Sequence, residues 1–338
     1  MRIRRCGCAG LLPRILATFG ILVALLLGSV QAQAQQGGRI ARVGWLGWIG
    51  GIGSTPSTLP LESLRAGLRD RGWVEGRNLV IEMRTGDSGR ARELTTQLVA
   101  SKVEVIVAQG PMVFGARTVS GTTPLVFTIN GDPVEANLVG SLSHPGGSIT
   151  GITALAPELA GKRLALLKES VPSLKRVAAI GNQLHPGVQT ELREAQAAAQ
   201  QLGLAIQFFP VRSVDDFGAA FEAILRDGAQ GIVAFPDNLI NHQARAIADF
   251  AARQRMPAVS GWKEFAQAGN LISYGPELGE FYRRAAFQVD KLLKGTRPAE
   301  LPVEQPTAFE LVINLKAARD AGITVPPLLA GRADVVLK

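Results

Sequence analysis

From residue 39 onward, short apolar runs alternate with amphipathic stretches. Arg39–Leu46 reads as a strand. Pro60–Arg71 follows as a helix, with Leu61, Leu64 and Leu68 on one face and Gly72 as its stop. Leu79–Met83, Val103–Ala108, Pro124–Ile129 and Ile149–Ile152 are further strands, and Arg90–Ser101 is a helix. The alternation then restarts. Arg176–Ile180 is a strand, and Pro186–Leu202 a helix with Val188, Leu192, Ala195, Ala199 and Leu202 at helical spacing. Leu204–Phe209 is a strand. Ser213-Val214-Asp215-Asp216 opens, in the manner of a capping box, a helix carrying Phe217, Phe221 and Ile224. Gly231–Phe235, Leu239–Arg255, Pro257–Val259 and Asn270–Ser273 continue the pattern. Pro276 then opens a helix that turns Leu278, Phe281, Ala285, Val289 and Leu292 inward and stops at Gly295.

Strand–helix alternation of this kind predicts parallel sheets covered by helices. It occurs twice, so the expected fold class is α/β with two doubly wound parallel-sheet lobes. Residues 35–155 form the first lobe, and residues 156–275 the second. Residues 296–338 are proline-rich; residues 276–305 return to the first lobe, and residues 306–338 are a C-terminal crossover segment and tail.

The first 34 residues change the remaining totals. Arg2, Arg4 and Arg5 precede the uncharged apolar run Ile15–Leu27, and Ala32-Gln33-Ala34 is a small-x-small cleavage pattern. That order is a secretory signal peptide, and the run is shorter than the ~20 residues of a membrane-spanning helix. The expected location is therefore the periplasm. Both cysteines, Cys6 and Cys8, leave with this segment, so no disulfide or thiol chemistry is expected afterwards. The net charge is +8, and residues 1–34 supply half of it. The remainder is too mild and too scattered for a nucleic-acid surface.

In open parallel sheets, ligands bind beyond the carboxyl ends of the strands. Several predicted strand ends are polar. The first ends in Gly44-Trp45-Leu46-Gly47-Trp48, before a loop containing Gly50, Gly51, Gly53, Ser54 and Thr55. The third ends at Gln109-Gly110-Pro111, and the fourth at Asn130-Gly131-Asp132-Pro133. The second half offers Gly181-Asn182-Gln183, Phe235-Pro236-Asp237-Asn238 and Ser273-Tyr274-Gly275. An Asn or Asp after a strand commonly shapes a turn or caps a helix. The recurrence at equivalent rims of both halves also suits a small zwitterion. Asp132 or Asp237 would hold its ammonium group, Ser54 and helix-start N–H groups its carboxylate, and Trp45 or Tyr274 would cover an apolar side chain.

No catalytic constellation accompanies these rims. His144, His185 and His242 stand far apart, without metal-ligand spacing, and read as loop or surface residues. No serine lies in Gly-x-Ser-x-Gly, and Gly161-Lys162 lacks the glycine and the hydroxyl residue that a phosphate loop needs at positions 156 and 163. No metal or cofactor is expected. Carboxylate pairs formed only on folding would leave no trace in sequence, so a carboxylate-based α/β enzyme stays open as an alternative.

Long collinear segments carry a family resemblance. They are Leu301-Pro302-Val303-Glu304-Gln305-Pro306-Thr307, Phe309–Lys316 and Ile323-Thr324-Val325-Pro326-Pro327. Gly72-Trp73-Val74-Glu75-Gly76-Arg77-Asn78, Gly131-Asp132-Pro133-Val134, His144–Gly151 and Ser273-Tyr274-Gly275-Pro276 add to them. Together they resemble ABC-transporter substrate-binding proteins, in the group related to tryptophan/tyrosine-type binding proteins. The resemblance implies the type I periplasmic-binding-protein fold, two lobes joined by three crossovers. It implies a monomer that closes on a small ligand, with a membrane permease and an ATPase as partners. It also carries ligand contact onto Gln109, Gly110, Asn130, Asp132, Asn182 and Asp237. A sensor that hands its closed state to a membrane receptor uses the same fold. Many relatives have Gly-Thr-Pro where Gln109-Gly110-Pro111 stands, and Trp-Asn-Pro where Gly181-Asn182-Gln183 stands. Both changes fall on cleft loops and bear on which ligand is bound.

Overall fold

The structure, a computed structural model, describes residues 39–49, 58–154 and 158–338. The segment read as a signal peptide and the loop carrying Ser54 lie outside the described residues. The first lobe is built from β1 (Ala41–Trp48), α1 (Leu59–Arg69), β2 (Leu79–Gly86), α2 (Ala91–Ala100), β3 (Val105–Gln109), α3 (Met112–Ala116), β4 (Leu125–Ile129) and β5 (Ile149–Thr153). The five strands pair in parallel in the order β2-β1-β3-β4-β5. β3 and β4 are buried at every position, as expected for strands covered on both faces.

The second lobe follows with α4 (Glu158–Ser170), β6 (Arg176–Asn182), α5 (Val188–Gln201), β7 (Ala205–Val211), α6 (Asp216–Asp227) and β8 (Gly231–Ala234). It continues through α7 (Asn238–His242), α8 (Ala244–Gln254), β9 (Ala258–Ser260), α9 (Lys263–Gln267) and β10 (Ile272–Gly275). The stretch read as Leu239–Arg255 divides at Gln243, which ends α7 and precedes α8.

The chain then crosses back. α10 (Leu278–Leu293) lies on α1, so closely that a Cβ at Gly67 would stand 2.7 Å from the Ala286 methyl. Trp73 Nε1 donates to Asp290 Oδ1 (2.9 Å), which fixes the same helix to the turn before β2. A bridge between Ile152 and Glu304 keeps the chain on the first lobe before it leaves again. Residues beyond 306 do more than trail. β11 (Glu310–Asn314), α11 (Leu315–Asp320), α12 (Pro327–Ala330) and β12 (Val335–Leu337) extend the second sheet, whose order is β12-β11-β10-β9-β8-β6-β7. β11 runs antiparallel to β10, and its last four residues are buried.

The chain thus passes between lobes three times: after β5, between β10 and α10, and between Glu304 and β11. Two mostly parallel sheets joined by three crossings form the type I periplasmic-binding-protein fold. Among the described residues, no helix is long and apolar enough to cross a membrane.

Candidate functional site

Strand order reverses between β1 and β3 in one lobe and between β6 and β8 in the other. Such reversals open a crevice at the carboxyl ends of the strands. A side-chain amide bridges each reversal. Gln109, at the end of β3, accepts a bond from the Trp48 N–H at the end of β1 (3.0 Å). Asn182, at the end of β6, donates through Nδ2 to Asp237 Oδ2 beyond β8 (2.6 Å). Its Oδ1 accepts from the Leu184 N–H (3.0 Å).

The two rims meet face to face. Asn130 Nδ2 donates to the Pro236 carbonyl across the seam. Between the rims lies a cavity of about 20 Å³, lined by Gly110, Pro111, Thr128, Ile129, Asn130, His185, Asp237, Asn238, Trp262, Leu278, Phe281 and Tyr282. That is room for about one water in this closed arrangement. Asn130, His185, Asp237 and Asn238 supply polar lining, and Trp262, Leu278, Phe281 and Tyr282 supply apolar lining. Trp262 follows β9 in the second lobe, yet it packs into the first lobe's core cluster with Trp45, Phe281 and Tyr282.

Asp237 caps α7. Its Oδ1 accepts from the Ile240 N–H (2.7 Å), which satisfies one of the free donors at the helix start. Burial pushes its carboxyl up to about 6, against the opposing pull of its hydrogen bonds. His185 is buried rather than on the surface, because its loop is pressed between the lobes. Burial pulls its imidazole down to about 4 and keeps it neutral at pH 7. Behind Asp237 lies a buried charged pair. Arg163 of α4 and Glu191 of α5 are buried, with Nη1 and Oε1 3.6 Å apart. Arg163 Nε also donates to the Tyr274 carbonyl (2.9 Å). Burial pushes the Glu191 carboxyl up to about 7; Arg163 opposes that shift and Asp237 adds to it.

Of the candidates drawn from sequence, Gly110, Asn130 and Asp237 line the cavity, and Asn182 supports Asp237 from behind. Trp45 is a core residue beneath the site, its ring 5.9 Å from Tyr282. Gln109 braces β1. The ring of Tyr274 lies against Phe309, 6.3 Å away. Asp132 Oδ1 accepts from the N–H groups of Val134 (2.7 Å) and Glu135 (3.2 Å), so this carboxylate shapes the turn after β4. Asp132→Ala is expected to lower unfolding stability by about 1 kcal/mol, read from a urea melt. Ser54 lies outside the described residues. The sequence reading placed Asn238 at a polar strand end without choosing it, took His185 for a loop or surface residue, and missed Trp262 and the aromatic pair of α10. Ser260-Gly261-Trp262 is itself a strand end and carried that signal. Phe281 and Tyr282 carried none, because the spacing of Phe281 is that of ordinary core packing and Tyr282 falls outside that pattern. Among the described residues, no group of His, Cys, Asp and Glu could hold a metal ion.

Comparison with known proteins places this geometry. Residues 57–337 match the family model described as ABC transporter substrate binding protein. A tyrosine-binding protein of Clostridioides difficile (strain R20291) is 23% identical over 251 residues, covering 73% of this chain and 72% of the relative. The crystal structure of an ABC domain in complex with L-Trp from Streptococcus pneumonia superposes with a TM-score of 0.81 at 25% identity, over 88% of this chain and all of that one. A conserved domain protein from Vibrio cholerae gives the same TM-score at 26% identity and the same coverage. The chain belongs to the family of ABC transporter substrate-binding proteins, whose role is to bind a substrate and not to catalyse a reaction.

Proposed function

We propose that this protein is a periplasmic receptor for an amino acid with an aromatic or large apolar side chain, working as a monomer with an ABC permease and its ATPase. The observation that carries this reading is the mixed lining of the cleft. Asp237, braced by Asn182, lines the cavity together with Trp262, Phe281 and Tyr282. A carboxylate suits an ammonium group, and an aromatic wall suits a flat apolar side chain. Asn130 and the backbone at Gly110 are the first-lobe contacts. The tyrosine and tryptophan ligands of two relatives have this chemistry. The N-terminal basic, apolar and small-residue succession supports export.

A cavity of about 20 Å³ is far too small for an amino acid, so the lobes must part for entry and settle around the ligand afterwards. A ligand that touches both rims binds the closed arrangement better than the open one, and that difference alone shifts the population. The permease would then read the closed form. Thermal melting with each of the common L-amino acids, followed by calorimetry on those that act, tests the reading. L-Tyrosine or L-tryptophan is expected to raise the melting temperature by mass action. A melting temperature unmoved by any amino acid at millimolar concentration would refute it.

A further inference from the structure

We infer that Gly131, facing Gly187 across the seam, is the positioning residue that sets how far the two lobes close. Gly131 follows β4 of the first lobe, and Pro186-Gly187 precede α5 of the second. A Cβ at residue 131 would lie 1.9 Å from the Pro186 carbonyl oxygen and 2.8 Å from its carbon. Reciprocally, a Cβ at residue 187 would lie 2.9 Å from the Gly131 Cα. Gly187 also has φ of +93°, a left-handed conformation that residues with a Cβ rarely adopt. The obstructing atoms belong to backbone, so no rotamer change relieves the clash.

Nor can either loop yield easily. Thr153 Oγ1 donates to the Gly131 carbonyl (2.6 Å), and Asp132 pins the residues that follow. On the other side, the His185 N–H donates to the Asn182 carbonyl (3.0 Å), and the Glu191 N–H to the Gly187 carbonyl (2.9 Å). Each glycine is fixed to its own lobe, so the remaining way to admit a methyl group is to move one lobe from the other. The rest of the seam depends on the same approach. Asn130 reaches the Pro236 carbonyl, and Glu135 reaches the Thr190 hydroxyl and, at 3.7 Å, Arg193. These cross-lobe bonds form only when the glycines touch. The consequence for ligand capture rests on the cleft being the binding site; the steric limit on closure does not.

The test needs no ligand. The chain's only cysteines, Cys6 and Cys8, are replaced by serine. Glu135→Cys and Thr190→Cys then place one thiol on each lobe, and dibromobimane bridges them when the lobes meet. Bridging is expected to be at least tenfold slower when Gly131→Ala is added, with the melting temperature held within a few degrees. Gly187→Ala is expected to act the same way from the opposite lobe, and it decides the matter if Gly131→Ala does not fold. Gly218→Ala, on α6 with nothing within 4 Å of the added methyl, is expected to leave the rate unchanged. Bridging at the parent rate with Gly131→Ala, or no bridging in the parent, would overturn the inference.

Discussion

Arg163→Met is expected to destabilise the protein by about 3–5 kcal/mol at pH 8, the usual cost of stranding one member of a buried ion pair. Glu191 would be left in an apolar interior, with Asp237 as its nearest charged influence. The pH dependence identifies the cause. Burial already raises the Glu191 carboxyl from 4.5 to about 7, so the folded state holds its proton more tightly than the unfolded state. A group shifted this way contributes stability at low pH and loses it as pH rises towards its folded value. Removing the guanidinium raises that value further. The deficit of the variant should therefore be largest above pH 7 and shrink on acidification towards 4.5, where the carboxyl is protonated in both states. His185 acts oppositely in both proteins, losing stability as pH falls from 6.5 to about 4, and cancels in the comparison. Urea melts of parent and variant at pH 5 and pH 8 measure this directly. Adding Glu191→Leu should recover most of the loss, but not the bond from Arg163 to the Tyr274 carbonyl. A deficit independent of pH would remove Glu191 from the explanation.

Asp237→Ala is expected to cost about 2–4 kcal/mol, because two buried partners lose their acceptor together. The Ile240 N–H loses its cap, worth about 1 kcal/mol. Asn182 Nδ2 loses a bond to a charged group, worth about 1.5–3 kcal/mol. Asp237→Asn keeps an oxygen for the cap and should cost less. If the cleft holds an ammonium group, both variants lose ligand affinity, and the conservative one separates lost charge from lost structure. Chemical denaturation followed by circular dichroism, with calorimetry on the same samples, gives both readouts. Equal stability of parent and Asp237→Ala would show that the cap and the amide bond contribute nothing to the second lobe.

The lobes were legible because buried parallel strands read as continuous apolar runs, and Val105–Gln109 and Leu125–Ile129 are buried throughout. The polar rims followed from the rule that such strands end at a crevice, which found Asn130 and Asp237. Arg163 and Glu191 could not be found that way. They sit on successive helices, and their meeting depends on how α4 and α5 pack. Arg163 entered the sequence reading only as the wrong residue for a phosphate loop. The apolar wall was hidden for a related reason. Trp262 comes from one lobe and Phe281 and Tyr282 from a helix that has crossed to the other, so only the third dimension joins them.

That crossing also constrains how the molecule can be made. The first lobe lacks α10 until the chain has been synthesised past residue 293, and the second sheet lacks β12 until residue 337. The first lobe therefore cannot be finished before most of the second has been made. An amino-terminal fragment ending after β5 would leave uncovered the face of α1 around Gly67 on which Ala286 of α10 packs, and it should be captured by chaperones or degraded instead of persisting as a free-standing half.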